Sequence, residues 1–74
     1  MEQNISNMEA AVEAVLFTMG TSVETSRLAA AIEQDEQTTR RLVRNMMDKY
    51  NAKDRGICLI ELEDSFQMCT KKEY

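Results

Sequence analysis

Two cysteines, a group of arginines and several carboxylates are the residues of this chain that could do chemistry. Cys58 and Cys69 could bind a metal or join as a disulfide. A tetrahedral zinc shell needs four donors, and the chain has no histidine, so two thiolates cannot fill one. A disulfide is geometrically conceivable if a hairpin turns on Glu63 and Asp64, because Cys58 then faces Cys69. Cytosolic disulfides are rare, so the pair reads as two small, weakly polar residues on a half-buried hairpin. The carboxylates Glu9 and Glu13, or Glu61 and Glu63, are spaced along element surfaces and read as solvating groups. General acid–base work would need a pocket, and a domain of this size offers no obvious one. Only Gly20 and Gly56 are glycines, so there is no phosphate-cradling loop. The residues point to no enzyme, no cofactor and no metal.

The arginines raise a different possibility. Five basic residues (Arg40, Arg41, Arg44, Lys49, Lys53) and two acidic ones (Glu36, Asp48) fall between Glu36 and Lys53, a local charge of +3. The whole chain carries −4, so the remainder is −7 and repels phosphate. On a helix, Arg41 and Arg44 point outward with Gln37, Asn45 and Asp48, where a DNA-reading helix puts its groove-facing side chains. But Glu36 lies four residues before Arg40 and Asp48 four after Arg44, in reach for local pairing. Arg41 is then the main free guanidinium, with Asn45 beside it. One or two free charges cannot neutralise the half-dozen or so phosphates of a tight binder. Glu63 and Asp64 would also repel a backbone. The simplest reading is a solvated face.

These residues need elements to position them. Ser6-Asn7-Met8-Glu9 matches a capping box, so a first helix should begin at Ser6 or Asn7. It should run to Met19 and stop at Gly20, after a frayed tail over residues 1–4. Thr21-Ser22-Val23 reads as an extended link. A second helix should begin near Glu24 or Thr25, with Val23 and Leu28 as a hydrophobic staple, and end near Ile32 or Glu33. Asp35 is a good N-cap for a third helix, so the intervening turn is tight and the helices must cross. That third helix carries Leu42, Val43, Met46, Met47 and Tyr50 on one face, running through Arg40 to Lys53 and stopping at Asp54-Arg55-Gly56. Ile57 to Leu62 and Phe66 to Thr70 read as strands about a turn at Glu63-Asp64-Ser65. Two strands alone are marginal in water and must lie against the helices. The fold expected is mainly α with a small β-hairpin: a winged helix-turn-helix of three helices plus wing.

The first helix is apolar on nearly all sides. Met8, Val12, Val15, Leu16 and Met19 form one stripe. Ala10, Ala14 and Phe17 form a second on nearly the opposite side, with Glu9 and Glu13 between them on one flank. Such a helix is normally buried on both sides. One side can meet the core, and the other is expected to meet another surface, unless the strands or further chain cover Phe17. Met8, Met19, Met46 and Met47, four of the six methionines, fall on core faces and read as filler.

At 74 residues the chain fits one small domain. It buries only roughly 60% of its unfolded surface, so burial shared with a partner would help it. Charged residues are 30% and hydrophobic ones 43%, ordinary for a folded domain. No apolar run approaches the roughly 18 residues of a membrane span. No basic segment followed by an apolar one opens the chain, so a cytoplasmic protein is expected.

Two segments together resemble a known family. Val12-Glu13-Ala14-Val15-Leu16-Phe17-Thr18-Met19-Gly20 resembles the opening helix of the bacterial segregation and condensation protein B family, ScpB. Leu42 to Tyr50, then Asp54-Arg55-Gly56-Ile57 and the hairpin Leu59 to Thr70, resemble its third helix and wing. Thr70 to Tyr74 fits the start of its next connection. The resemblance implies the first of two tandem winged-helix domains in a longer protein, with residues 1–74 as that single domain. It implies a non-enzymatic, nucleoid-associated accessory subunit that joins the kleisin ScpA and the SMC ATPase in chromosome condensation and segregation. The N-terminal domain is implicated in homodimer formation, the second more in gripping ScpA. On this chain the dimer role falls most naturally on Ala10, Ala14 and Phe17, by inference from the two-sided stripe. The family often has Pro after the first helix, a Gly-rich wing turn and a more acidic third helix. Here Thr21-Ser22, Asp64-Ser65 and a basic helix stand instead. The basic helix leaves an alternative, a winged-helix DNA-binding transcription regulator using Arg41, Arg44 and Asn45.

Overall fold

The computed structural model describes residues 4–52 and 54–71. In chain order it forms α1 (Ile5–Met19), β1 (Val23–Glu24), α2 (Thr25–Ile32), α3 (Glu36–Tyr50), β2 (Ile57–Leu62) and β3 (Ser65–Thr70). This is a winged helix, as the pattern predicts, with one strand more than expected. Val23 and Glu24 pair with Phe66 and Ser65, making an antiparallel sheet in the order β1-β3-β2. The extended link after α1 is too short to announce itself as a strand. Residues 72–74 and Lys53, the expected helix end, lie outside the described residues.

The helix ends show which local signals win. The N-cap of α1 is Asn4, whose side chain accepts from the Asn7 N–H at 2.8 Å. The capping box at Ser6 is therefore not used, and Asn4 belongs to the helix start rather than the tail; residues 1–3 lie outside the described residues. Glu9, released from capping, reaches across to α3. At the other end Gly20 takes the left-handed φ of 69°, and its N–H bonds the Leu16 carbonyl. Asp35 caps α3 through the Thr38 N–H, as expected. That helix stops at Tyr50, earlier than the expected Lys53. Its next residue, Asn51, leaves the helix and turns its side chain to β2. There it accepts from the Leu59 N–H at 3.2 Å and donates to the Leu59 carbonyl at 3.4 Å. One amide thus stands in for a neighbouring strand on the open edge of β2.

One core joins all the layers. Met8, Val12 and Leu16 of α1 meet Leu28 and Ile32 of α2, Leu42, Val43 and Met46 of α3, and Val23, Leu59 and Phe66 of the sheet. Val23 and Leu28, the expected staple, are both buried. Met19, expected in the core, is instead 40% exposed. All residues from Phe17 to Ser22 are exposed, so the last turn of α1 overhangs the core.

The wing is fastened to the helices at its turn. The Asp64 carbonyl accepts both the N–H of Thr25, at 2.9 Å, and its buried hydroxyl, at 3.0 Å. The Asp64 carboxylate accepts from Arg40 at 2.6 Å. One residue of the wing thus grips the start of α2 and the middle of α3. Further along β2, Glu61 receives both arms of the Arg44 guanidinium, at 3.0 and 2.8 Å. These bonds hold both carboxyls below their ordinary values, Asp64 through Arg40 and Glu61 through Arg44.

Two outcomes follow for stability. Asn51→Ala strands the edge groups of Leu59 and should cost about 1–2 kcal/mol in urea unfolding, with an unchanged slope. Acidification should also weaken the fold. Asp64 and Glu61 bind a proton less readily when folded than when unfolded. Their contribution is complete above the ordinary values of 3.8 and 4.5 and is lost as pH falls through the lowered ones. The double variant Arg40→Gln/Arg44→Gln should be less stable at neutral pH and lose less on acidification. Equal losses in parent and variant would show that these pairs carry none of the acid sensitivity.

Candidate functional site

Two surfaces were expected to carry function, and the packing treats them differently. On α3, Arg41, Arg44 and Asn45 are exposed, and with Gln37 and Arg40 they line a shallow depression. The sequence pairs Arg44 with Asp48 by helical spacing, but its guanidinium closes on Glu61 instead. A strand carboxylate presented edge-on accepts both arms of the fork, which a flexible neighbour one turn away does not match. Arg40 pairs with Glu36, as expected, and also with Asp64. Both guanidiniums are pushed further up by these bonds. Lys49 is held by Glu9 of α1 at 3.0 Å. Among the described cations of α3, Arg41 alone has no ion pair, so the surface offers a nucleic acid little free charge.

On α1 the stripes separate as the spacing predicts except at Met19, which leaves the core stripe for the exposed side. Met8, Val12 and Leu16 are buried, while Ala10, Ala14 and Phe17 face outward. Phe17 is 75% exposed, the most exposed large apolar side chain among the described residues. The overhanging Met19 adds to this surface, and a shallow apolar depression lies between Ala14, Val15, Thr18 and Met19. Past Phe17 a second groove opens between α1 and the sheet, reaching Gly20, Ile57 and Met68. Met19 and this groove enlarge the patch beyond the three residues found by spacing. The overhang of the last helical turn depends on where the chain goes after Gly20, which spacing does not encode.

The acids bordering the patch are occupied. Glu9 accepts from Lys49, and Glu13 accepts the Tyr50 hydroxyl. Burial first, and then the Glu13 bond, push the Tyr50 hydroxyl up to about 12, so it remains a donor across the neutral range. The Arg55 guanidinium lies 5.1 Å from the centre of the same ring. Both carboxylates thus bind α1 to α3, and the outward face of α1 keeps an uncharged rim on its other flank. Among the described residues no cluster of three or more potential metal ligands occurs. No helix among them is long and apolar enough to cross a membrane.

Comparison with known proteins agrees with this architecture. Residues 10–74 match the family model of the segregation and condensation complex subunit ScpB. A segregation and condensation protein B from Lachnoclostridium phytofermentans is 52% identical over 69 residues, covering 93% of this chain and 36% of the relative. One from Agathobacter rectalis is 44% identical over 68 residues, covering 90% and 36%. The chain therefore spans about a third of the length of the curated relatives it matches. A crystal structure of a dimer of the ScpB N-terminal domain complexed with an ScpA peptide superposes with a TM-score of 0.86. It is 33% identical, with 93% of this chain and 86% of that one covered. ScpB from Mycobacterium tuberculosis gives 0.88 at 27% identity, covering 99% and 46%. With most of its length matched by the family model and its winged helix matched by the family's N-terminal domain, the chain belongs to the ScpB family of segregation and condensation subunits.

Proposed function

We propose that this chain is the N-terminal winged-helix domain of a longer, two-domain ScpB-type protein and that it dimerises through the outward face of α1. The protein acts as a non-enzymatic accessory subunit of a bacterial SMC–kleisin complex in chromosome condensation and segregation. Its partners are a second copy of itself, the kleisin ScpA and SMC, and it works in the cytoplasm at the nucleoid. The observation that carries this reading is Phe17, exposed amid Ala10, Ala14 and Met19 on a helix whose other face is core. Small residues around one aromatic permit close helix approach, and apolar patches of this kind mark contact sites. The dimeric state of the similar N-terminal domain gives independent support. Its ScpA peptide supports the kleisin as partner.

A second reading rests on Arg41 and Asn45, which stand one turn apart and exposed on α3. They suit a transcription regulator that sets this helix into a DNA groove with Arg44. Against it stand the ion pairs that hold Arg44 and Arg40 on the wing.

Sedimentation velocity separates the outcomes. The parent should be dimeric at tens of micromolar, and Phe17→Asp should be a folded monomer. Loss of Phe17 burial removes about 2 kcal/mol per protomer, so two copies raise the dimer Kd by about a thousandfold. A monomeric parent that unfolds on this substitution would overturn the assignment. A duplex DNA titration should show no affinity tighter than about 100 µM at physiological salt. Micromolar affinity falling steeply with salt, and lost in Arg41→Ala, would favour the regulator.

A further inference from the structure

The dimer and kleisin roles leave one chemically capable pair unused. Cys58 and Cys69 are register partners on β2 and β3, and their Sγ atoms lie 3.2 Å apart. Both are free thiols, half-buried rather than sealed in the core. Leu59 and Phe66 point inward, so alternation turns Cys58 and Cys69 to the outer face of the sheet, beside Ile60. The ladder fixes the pair's geometry. The Lys71 N–H donates to the Gly56 carbonyl at 2.9 Å, one ladder repeat away from the cysteines. By antiparallel alternation Cys58 and Cys69 form a hydrogen-bonded pair, with Cα atoms about 5.5 Å apart. Bridged cysteines sit at about 4.4–6.8 Å, so the Cα separation falls within the range. Closure brings the sulfurs together from 3.2 Å by side-chain rotation and a small local approach of the two strands.

We infer that Cys58 and Cys69 are a two-electron oxidation site, a dithiol that a small disulfide-class oxidant closes into a cross-strand disulfide. The Cys58 sulfur loses its proton and attacks one sulfur of the oxidant, whose S–S bond breaks and releases one thiolate. The Cys69 sulfur then gives up its proton and attacks the Cys58 sulfur. The protein S–S bond forms and the second thiolate leaves. The protein loses two protons and two electrons, and the oxidant becomes two thiols. The contact with Cys58, and then burial, push the Cys69 thiol up, which lowers its thiolate fraction and makes it a poor first attacker. Closure staples the wing at the end opposite its Asp64 turn and fixes the register covalently.

The test uses the chain with oxidised glutathione as the probe and intact-mass spectrometry as the readout. The parent should lose the mass of two hydrogen atoms, without adduct or covalent dimer, and recover it with dithiothreitol. Peptide mapping should find Cys58 linked to Cys69. Cys58→Ser and Cys69→Ser should each instead retain one glutathione adduct. Three outcomes in the parent would overturn the inference whatever the variants do: both thiols free after a reference dithiol has closed, stable adducts on both cysteines, or linkage between chains. None of these readouts depends on the dimer reading.

Discussion

Asp64 is the residue on which the arrangement turns. Its carbonyl takes two hydrogen bonds from Thr25 at the start of α2, and its carboxylate takes one from Arg40 on α3. The turn that joins β2 to β3 therefore also fixes where both helices lie against the sheet. Exposed ion pairs contribute little energy, at most about 1 kcal/mol each. The energy of docking comes from Phe66, Leu59 and Val23, which reach the helices from the three strands and are almost wholly buried. The polar bonds add direction to that burial. An apolar surface alone would let the hairpin slide, whereas a carbonyl bound to a buried hydroxyl and N–H holds one position.

That fastening decides what α3 can do. A groove-reading helix must present unpaired cations, and its wing must be free to lie along a phosphate backbone. Here the wing's own carboxylates occupy Arg40 and Arg44, and α1 occupies Lys49 through Glu9. A phosphate could displace Glu61 only by breaking a two-armed bond and leaving a carboxylate close to its own charge. The basic character of α3 is thus largely taken up in pairs between elements, with Arg41 the exception among the described cations. The acidic balance of the remaining chain acts in the same direction.

The sequence carried the periodic features well. The α3 face from Leu42 to Tyr50, the cap at Asp35, the stop at Gly20, the split face of α1 and the facing cysteines all follow from spacing or local turn chemistry, and the structure has them. Features set by tertiary contact were not legible. Two residues make β1, too few for an alternation, and they form a strand only because Phe66 and Ser65 lie alongside. Arg44 had Asp48 one turn away, yet Glu61, seventeen positions on, offers the better fork. Asn51 fell inside the third helix expected to reach Lys53, and nothing local shows that its amide completes the edge of β2. At the N-terminus the box at Ser6 was the cap expected, whereas Asn4 caps the helix and Glu9 pairs with Lys49 on α3, a contact that local sequence does not encode. An acidic hairpin following a basic helix was the available hint of cross-pairing.

The same size limit that makes the wing's anchoring necessary bears on the outer face of α1. Among the described residues eleven side chains make up the core cluster, few for a chain that must offset the entropy of ordering its backbone. A domain of this size gains from burying more apolar surface, but its interior is already filled by one face of each helix. Among the described residues the most exposed large apolar side chain, Phe17, lies on the outer face of α1, and the composition of that face is selective. Alanines at positions 10 and 14 keep the helix axis accessible, Phe17 supplies one large side chain, and Glu9 and Glu13 are drawn away toward Lys49 and Tyr50. Burial of that face against a second copy would extend the core across the symmetry axis. The contacts that bind α1 to α3 therefore also clear charge from the face it turns outward.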